Sequence, residues 1–187
     1  MSMKPIRKML AVLFAALGLT PQPAVAHGTP LEAFFELVAV GTLTGVKDAL
    51  EHEPDLAVRA DKYGFTAIHV LDYLGFAEKL ALLQRFGADV NAQNDEGHAL
   101  LHVIIDPSLI DVAVSAGADV NLTDHQGRTP IMIHLLEPDG TDFVPALLAA
   151  GANVNVRDAK GVSVLSYAAE FDDPQMMAML IDAGAKP

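Results

Sequence analysis

Two short phrases return along this 187-residue chain at one shared period. The first is an Asp or Asn, two variable residues and a glycine: DKYG at 61–64, NDEG at 94–97, DHQG at 124–127 and DAKG at 158–161. The second is GADVN at 87–91, GADVN at 117–121, GANVN at 151–155 and a shortened GA at 184–185. The glycines of the first phrase stand 33, 30 and 34 residues apart, and those of the second 30, 34 and 33. Two markers locked to a period near 33 describe one supersecondary unit written several times. Such a unit buries its apolar face only against its neighbours.

Each phrase has a mechanical reading. An Asp or Asn opening a tight turn bonds the backbone two residues on, and glycine suits the fourth position. Thr66, Thr129 and Ser163 follow where a helix N-cap belongs, with hydroxyls for the orphan N–H groups of the first turn. Pro130 comes next to Thr129, at the first helical position, where its missing N–H costs nothing. The glycine of GA[DN]VN is expected in the left-handed conformation that ends a second helix. The unit therefore reads as turn, helix, short loop, helix and extended return.

The pattern resembles the ankyrin-repeat family, whose G-x-TPLH-x-A and GADVN signatures it matches. Gly64, Thr66, Ile68 and His69 fit the first signature, and Gly127, Thr129, Pro130 and Ile131 fit it again. The resemblance runs from about Leu31 to Ala185 and implies an all-α ankyrin-repeat solenoid of about five helix-loop-helix units with β-turn tips. The units are expected at 31–60, 61–93, 94–123, 124–157 and 158–187, within one domain over 27–187. The first is an atypical capping unit. The third is three residues short around Asp106-Pro107-Ser108, the fourth is extended by LEPDGTD, and the last replaces TPLH by SVLS. Met176, Met177 and Met179 in the last unit are expected in the core, where methionine fills irregular gaps.

Residues 1–26 stand apart. Lys4, Arg7 and Lys8 precede an apolar run from Met9 to Leu19, and AVA precedes His27. That is the grammar of a secretory signal peptide cleaved after Ala26, so a periplasmic location is expected. Its removal takes three positive charges and no acidic residue, moving the formal net charge from −12 to −15. Such acidity repels phosphates, which argues against nucleic acid and anionic membranes and favours a basic protein surface as partner. The chain has no cysteine, so neither a disulfide framework nor a lipidated N-terminal cysteine is available, and no stable membrane anchor is expected. With 51% hydrophobic and 19% charged residues, the chain is too apolar to be disordered.

Catalytic signatures are missing: no G-x-S-x-G, H-E-x-x-H, G-x-x-x-x-G-K-[ST] or G-x-G-x-x-G occurs. His98 and His102 stand four apart, a spacing that suits a metal on a helix face, but no third ligand has convincing spacing. By resemblance, His69 and His102 fall on the histidine of TPLH, where the ring bonds neighbouring turns. No enzyme activity, cofactor or metal is expected.

Acidic residues mark the candidate surface. Counted from each turn glycine to the end of the first helix come Asp72, Asp106, Glu137 with Asp139, and Glu170 with Asp172 and Asp173. Equivalent positions of stacked units lie side by side, so these carboxylates are expected along one edge of the concave side. Tyr73, Phe76, Phe143 and Phe171 occur in or near the same loops, with Tyr73 the preferred anchor. The variable turn positions supply a second set, Tyr63, Glu96 and His125, by analogy with the family's contacting tips. The resemblance to exported bacterial members implies a protein-binding role, first as an immunity protein that neutralises a toxic effector. The alternative is an accessory of a periplasmic enzyme such as a catalase.

Overall fold

The computed structural model describes residues 29–137, 140–171 and 173–186. The expected leader, Pro138, and the candidate residues Asp139 and Asp172 lie outside them. The first unit pairs α1 (Pro30–Val40) with α2 (Leu43–His52). Thr29 caps α1 in a capping box with Glu32, and Thr42 caps α2 by accepting from the Gly45 N–H. In the second unit a single 3₁₀ turn, Ala67–Val70, takes the place of the expected first helix and is followed by α3 (Phe76–Arg85). The later units repeat the pair with shorter pieces. These are α4 (Leu100–Val103) and α5 (Ile110–Ser115), α6 (Pro130–His134) and α7 (Phe143–Ala149), then α8 (Val164–Ala168) and α9 (Pro174–Asp182). Helices this short are marginal alone, so their stability comes from stacking.

The fold is all-helical, with one isolated bridge, Arg157 to Ser163, among the described residues. First helices pack on first helices of the next unit, and one apolar core runs the whole length, from Phe34 and Val38 through Leu83, Leu100 and Leu147 to Leu180. No helix among the described residues is long and apolar enough to cross a membrane.

Both repeated phrases act between units as well as within them. Asp61 Oδ1 accepts from the N–H groups of Tyr63 and Phe65, and Asn94, Asp124 and Asp158 do the same in their turns. Successive turn tips are then laced together. The Asp95 N–H donates to the Tyr63 carbonyl at 3.0 Å, His125 to Glu96 at 3.1 Å and Ala159 to Gln126 at 2.8 Å. That approach explains the glycines. A Cβ on Gly97, whose φ is +81°, would lie 2.5 Å from the His125 nitrogen. The asparagine ending GA[DN]VN forms a second ladder. Asn91 Nδ2 donates to the Gly117 carbonyl at 2.9 Å while its Oδ1 accepts from Asp119, and Asn121 and Asn155 repeat both bonds one unit further on.

Several local expectations need adjustment. Ser163 caps α8 through its hydroxyl, whereas the Thr129 hydroxyl is buried without a hydrogen-bond partner. Of the three methionines, Met176 is buried and Met177 half-buried, but Met179 is 38% exposed and so is not core. Phe76 and Phe143 are each only 2% exposed; they begin second helices and face inward, so they are core residues rather than a binding face.

Candidate binding surfaces

The turn opens each first helix and the interhelix loop closes it, so the two candidate sets occupy opposite edges of the stack. Tyr63, Glu96 and His125 share the turn-tip edge, joined by the backbone bonds between successive tips. Asp72, Tyr73, Asp106, Glu137, Glu170 and Asp173 follow one another along the loop edge, together with Phe171, which lies in the 3₁₀ turn Ala169–Phe171.

On the turn-tip edge, Tyr63 is 48% exposed and carries Lys62 Nζ 4.9 Å from its ring centroid. His125 is exposed. Glu96 is less free than its position suggests: its carboxylate lies 3.5 Å from Nδ1 of the fully buried His98. The other His98 nitrogen, Nε2, lies 3.4 Å from Asp124 Oδ2. Asp124 in turn holds Arg128 through Nε at 2.7 Å and Nη2 at 2.6 Å. Burial raises the Asp124 carboxyl, but His98 and Arg128 beside it outweigh that and hold it far below the usual carboxylate range. This buried network was not legible from the turn motif, because His98 and Arg128 occupy variable positions following the glycine.

The histidines of the TPLH position bond between units, as the resemblance implies. His69 Nδ1 accepts from the Thr66 N–H, and its Nε2–H donates to the His98 carbonyl at 2.9 Å. His102 Nδ1 accepts from the Ala99 N–H, and its Nε2–H donates to the Arg128 carbonyl at 3.2 Å. Burial lowers His69 and pushes His102 down to about 4. The His98 and His102 rings stack at 5.6 Å, but both His102 nitrogens already have partners. No group of three or more His, Cys, Asp or Glu among the described residues is placed to hold a metal.

The loop edge divides into anchors and structural caps. Asp106 Oδ1 accepts from the Ser108 N–H at 2.9 Å and its hydroxyl at 2.7 Å, which lowers its carboxyl. Asp173 caps α9 through the Gln175 and Met176 N–H groups. Asp72 is half-buried and favours the charge on Lys79. Lys79 itself is 1% exposed and donates to the Val38 carbonyl at 2.8 Å, so its ammonium serves the C-terminal end of α1. Burial lowers its pKa. Glu137 is half-buried in the turn after α6, and Glu170 is exposed. Tyr73 stands out at 59% exposed, and it has two apolar companions that the motif reading missed, Leu74 at 49% and Ile105 at 52%. Leu74, ten residues after Gly64, and Ile105, eight after Gly97, both lie between the two helical pieces of their units.

Comparison with known proteins shows what part of this chain is similar to. Residues 101–187 match a family model described as ankyrin repeats (3 copies). The chain is 31% identical over 173 residues to an intracellular phospholipase A2 of Caenorhabditis elegans, a match that covers 85% of this chain and 16% of that one. It is 31% identical over 167 residues to a B-cell lymphoma 3 protein homolog of Mus musculus, covering 85% of this chain and 37% of the other. An ADP-ribosylation factor GTPase-activating protein of Arabidopsis thaliana, AGD2, shares 38% identity over 79 residues, 41% of this chain and 10% of its own. The chain thus spans well under half the length of each of these relatives.

Proposed function

The chain belongs to the ankyrin-repeat family, and we propose that it works as a non-catalytic scaffold that binds one basic protein through its loop edge. Repeats of this family generally serve protein–protein interaction, and that coarser role is the premise. The observation that carries the finer reading is the exposed trio Tyr73, Leu74 and Ile105 on neighbouring loops, in a row that also holds Asp72, Glu137 and Glu170. Apolar anchors concentrate binding energy, while surrounding carboxylates steer a basic partner and speed encounter. The formal net charge of −12 adds a long-range field of the same sign.

The leader at residues 1–26 supports an exported, periplasmic protein, whose mature form should begin at His27 on N-terminal sequencing; a retained Met1 counts against export. In that compartment the scaffold acts as an immunity protein: it covers the working surface of a toxic effector and needs no chemistry of its own. The test begins with capture of effectors from periplasmic extract by the purified protein, followed by kinetics on the captured partner. Tyr73→Ala and Ile105→Ala remove exposed side chains, so folding is unaffected while the dissociation rate rises at least tenfold. Unchanged dissociation for both variants removes the loop edge from the interface. Effector activity that persists at saturating scaffold removes the immunity role.

A further inference from the structure

The interhelix loops of the five units are not alike. Val40 and Leu43, which flank the first loop, are 51% and 40% exposed. They extend the row of Tyr73, Leu74 and Ile105, so the first three units expose five large apolar side chains along one edge. The row is continuous from its start. Lys79 Nζ, near the beginning of α3, donates to the Val38 carbonyl at 2.8 Å. That bond holds the end of α1, where Val40 lies, beside the loop that carries Tyr73 and Leu74. From Leu43 a groove of about 250 Å³ runs between α2 and α3, lined also by Ala81 and Leu82 and by Lys47, Glu78 and Arg85. Its volume is below the roughly 300 Å³ at which small-molecule pockets begin, and it suits a single side chain.

Charge changes along the same edge. In the second and third units the loop carboxylates are already engaged: Asp72 supports the charge of the buried Lys79, and Asp106 accepts from the Ser108 N–H and hydroxyl. The groove adds two cations at this end of the stack, Arg85 and Lys47, the latter 3.5 Å from Glu51. The loops of the last two units expose no large apolar residue among the side chains described there. They carry the exposed carboxylates of Asp142 and Glu170 instead.

We infer that the loop edge takes a segment of the partner protein that is apolar at one end and basic at the other. The apolar end lies on the first three units and the basic end on the last two. This rests on the protein-binding reading of the same edge and adds Val40 and Leu43 to it. Charge sets the direction along the stack. A basic end placed on the first units meets Lys47 and Arg85, whereas Asp142 and Glu170 attract it at the last units. Packed helices stand about 9 Å apart, so the loops of five stacked units span about 35 Å. An extended chain of about eleven residues covers that length.

Fluorescence anisotropy with a labelled synthetic peptide of about twelve residues tests this. Leucines alternate with serine in one half of the peptide and lysines alternate with serine in the other, and both orders of the halves are made. One order should bind the native chain at least about tenfold more tightly than peptides in which serine replaces either the leucines or the lysines. Leu43→Ser weakens that binding at least about fivefold while the circular dichroism stays unchanged. Val40→Ser, at an exposed position, does the same should Leu43→Ser disturb folding. Glu170→Lys weakens it as well, and added salt shrinks that difference. Binding of neither order up to about 200 µM overturns the inference, as do half-substituted peptides that bind as tightly as the whole. A captured partner whose dissociation responds to Tyr73→Ala and Ile105→Ala but not to Leu43→Ser also overturns it, while leaving the protein-binding role of the edge in place.

Discussion

Lowering the pH from 7 to 5 should destabilise the fold through His102, by an amount its surroundings set. The ring is buried against the next unit, with Nδ1 accepting from Ala99 and Nε2–H donating to Arg128. Burial pushes its pKa down to about 4, against about 6.5 for an imidazole in an unfolded chain. The unfolded chain therefore takes up this proton first. The stability His102 contributes is fully present above pH 6.5 and is lost as pH falls through 6.5 toward 4. At 1.36 kcal/mol per unit of difference, the loss between pH 7 and pH 5 is about 2 kcal/mol, rising to about 3 kcal/mol at pH 4. Ordinary carboxylates are still ionised at pH 5, and Asp124 is held lower still. The assay is urea unfolding followed by far-UV circular dichroism at the two pH values, for the native chain and for His102→Gln. Glutamine keeps one acceptor and a donor but does not titrate. His69, also lowered by burial, remains in both proteins and leaves the variant a residual slope of the same sign. The native chain should lose about 2 kcal/mol more than the variant between the two pH values. Equal losses, or a native chain that gains stability at pH 5, would refute the reasoning.

Lys79→Ala should cost about 3 kcal/mol in chemical denaturation, because it opens a cavity and leaves the Val38 carbonyl without its donor. Lys79→Met keeps the stem volume and should cost less, about 1 kcal/mol; a Met variant as unstable as the Ala variant would show that the ammonium, not the packing, dominates. Gly97→Ala should cost at least about 2 kcal/mol, since its φ of +81° and the His125 nitrogen 2.5 Å from a new Cβ both oppose the substitution. A midpoint within about 0.5 kcal/mol of the native chain would mean that the turn tips are not in contact.

The period and the two phrases carried most of the architecture. The turn glycines and helix-ending glycines all have positive φ, and the acidic or amide residue opening each turn bonds forward as its chemistry requires. What escaped the motif reading depends on neighbours in the stack. The ladder asparagines bond one unit ahead, which a reading confined to one unit does not reach. Lys79 reads as a surface residue of an amphipathic helix, yet the end of α1 lies across it and buries it. Asp106 caps the 3₁₀ turn Pro107–Leu109 and Asp173 caps α9, so part of the acidic row is structural. Phe76 and Phe143 were misplaced because the loops are so short that a residue near them already belongs to the next helix.

The most direct test of the binding account is the association rate of the captured partner, measured at low and high salt. Glu170→Lys is a suitable probe, because Glu170 is exposed, whereas Asp106 and Asp173 cap helical turns and their loss disturbs folding. The account predicts a slower association for the variant, with a flatter dependence on salt and little change in dissociation. Association rates that match the native chain at every salt concentration would contradict it.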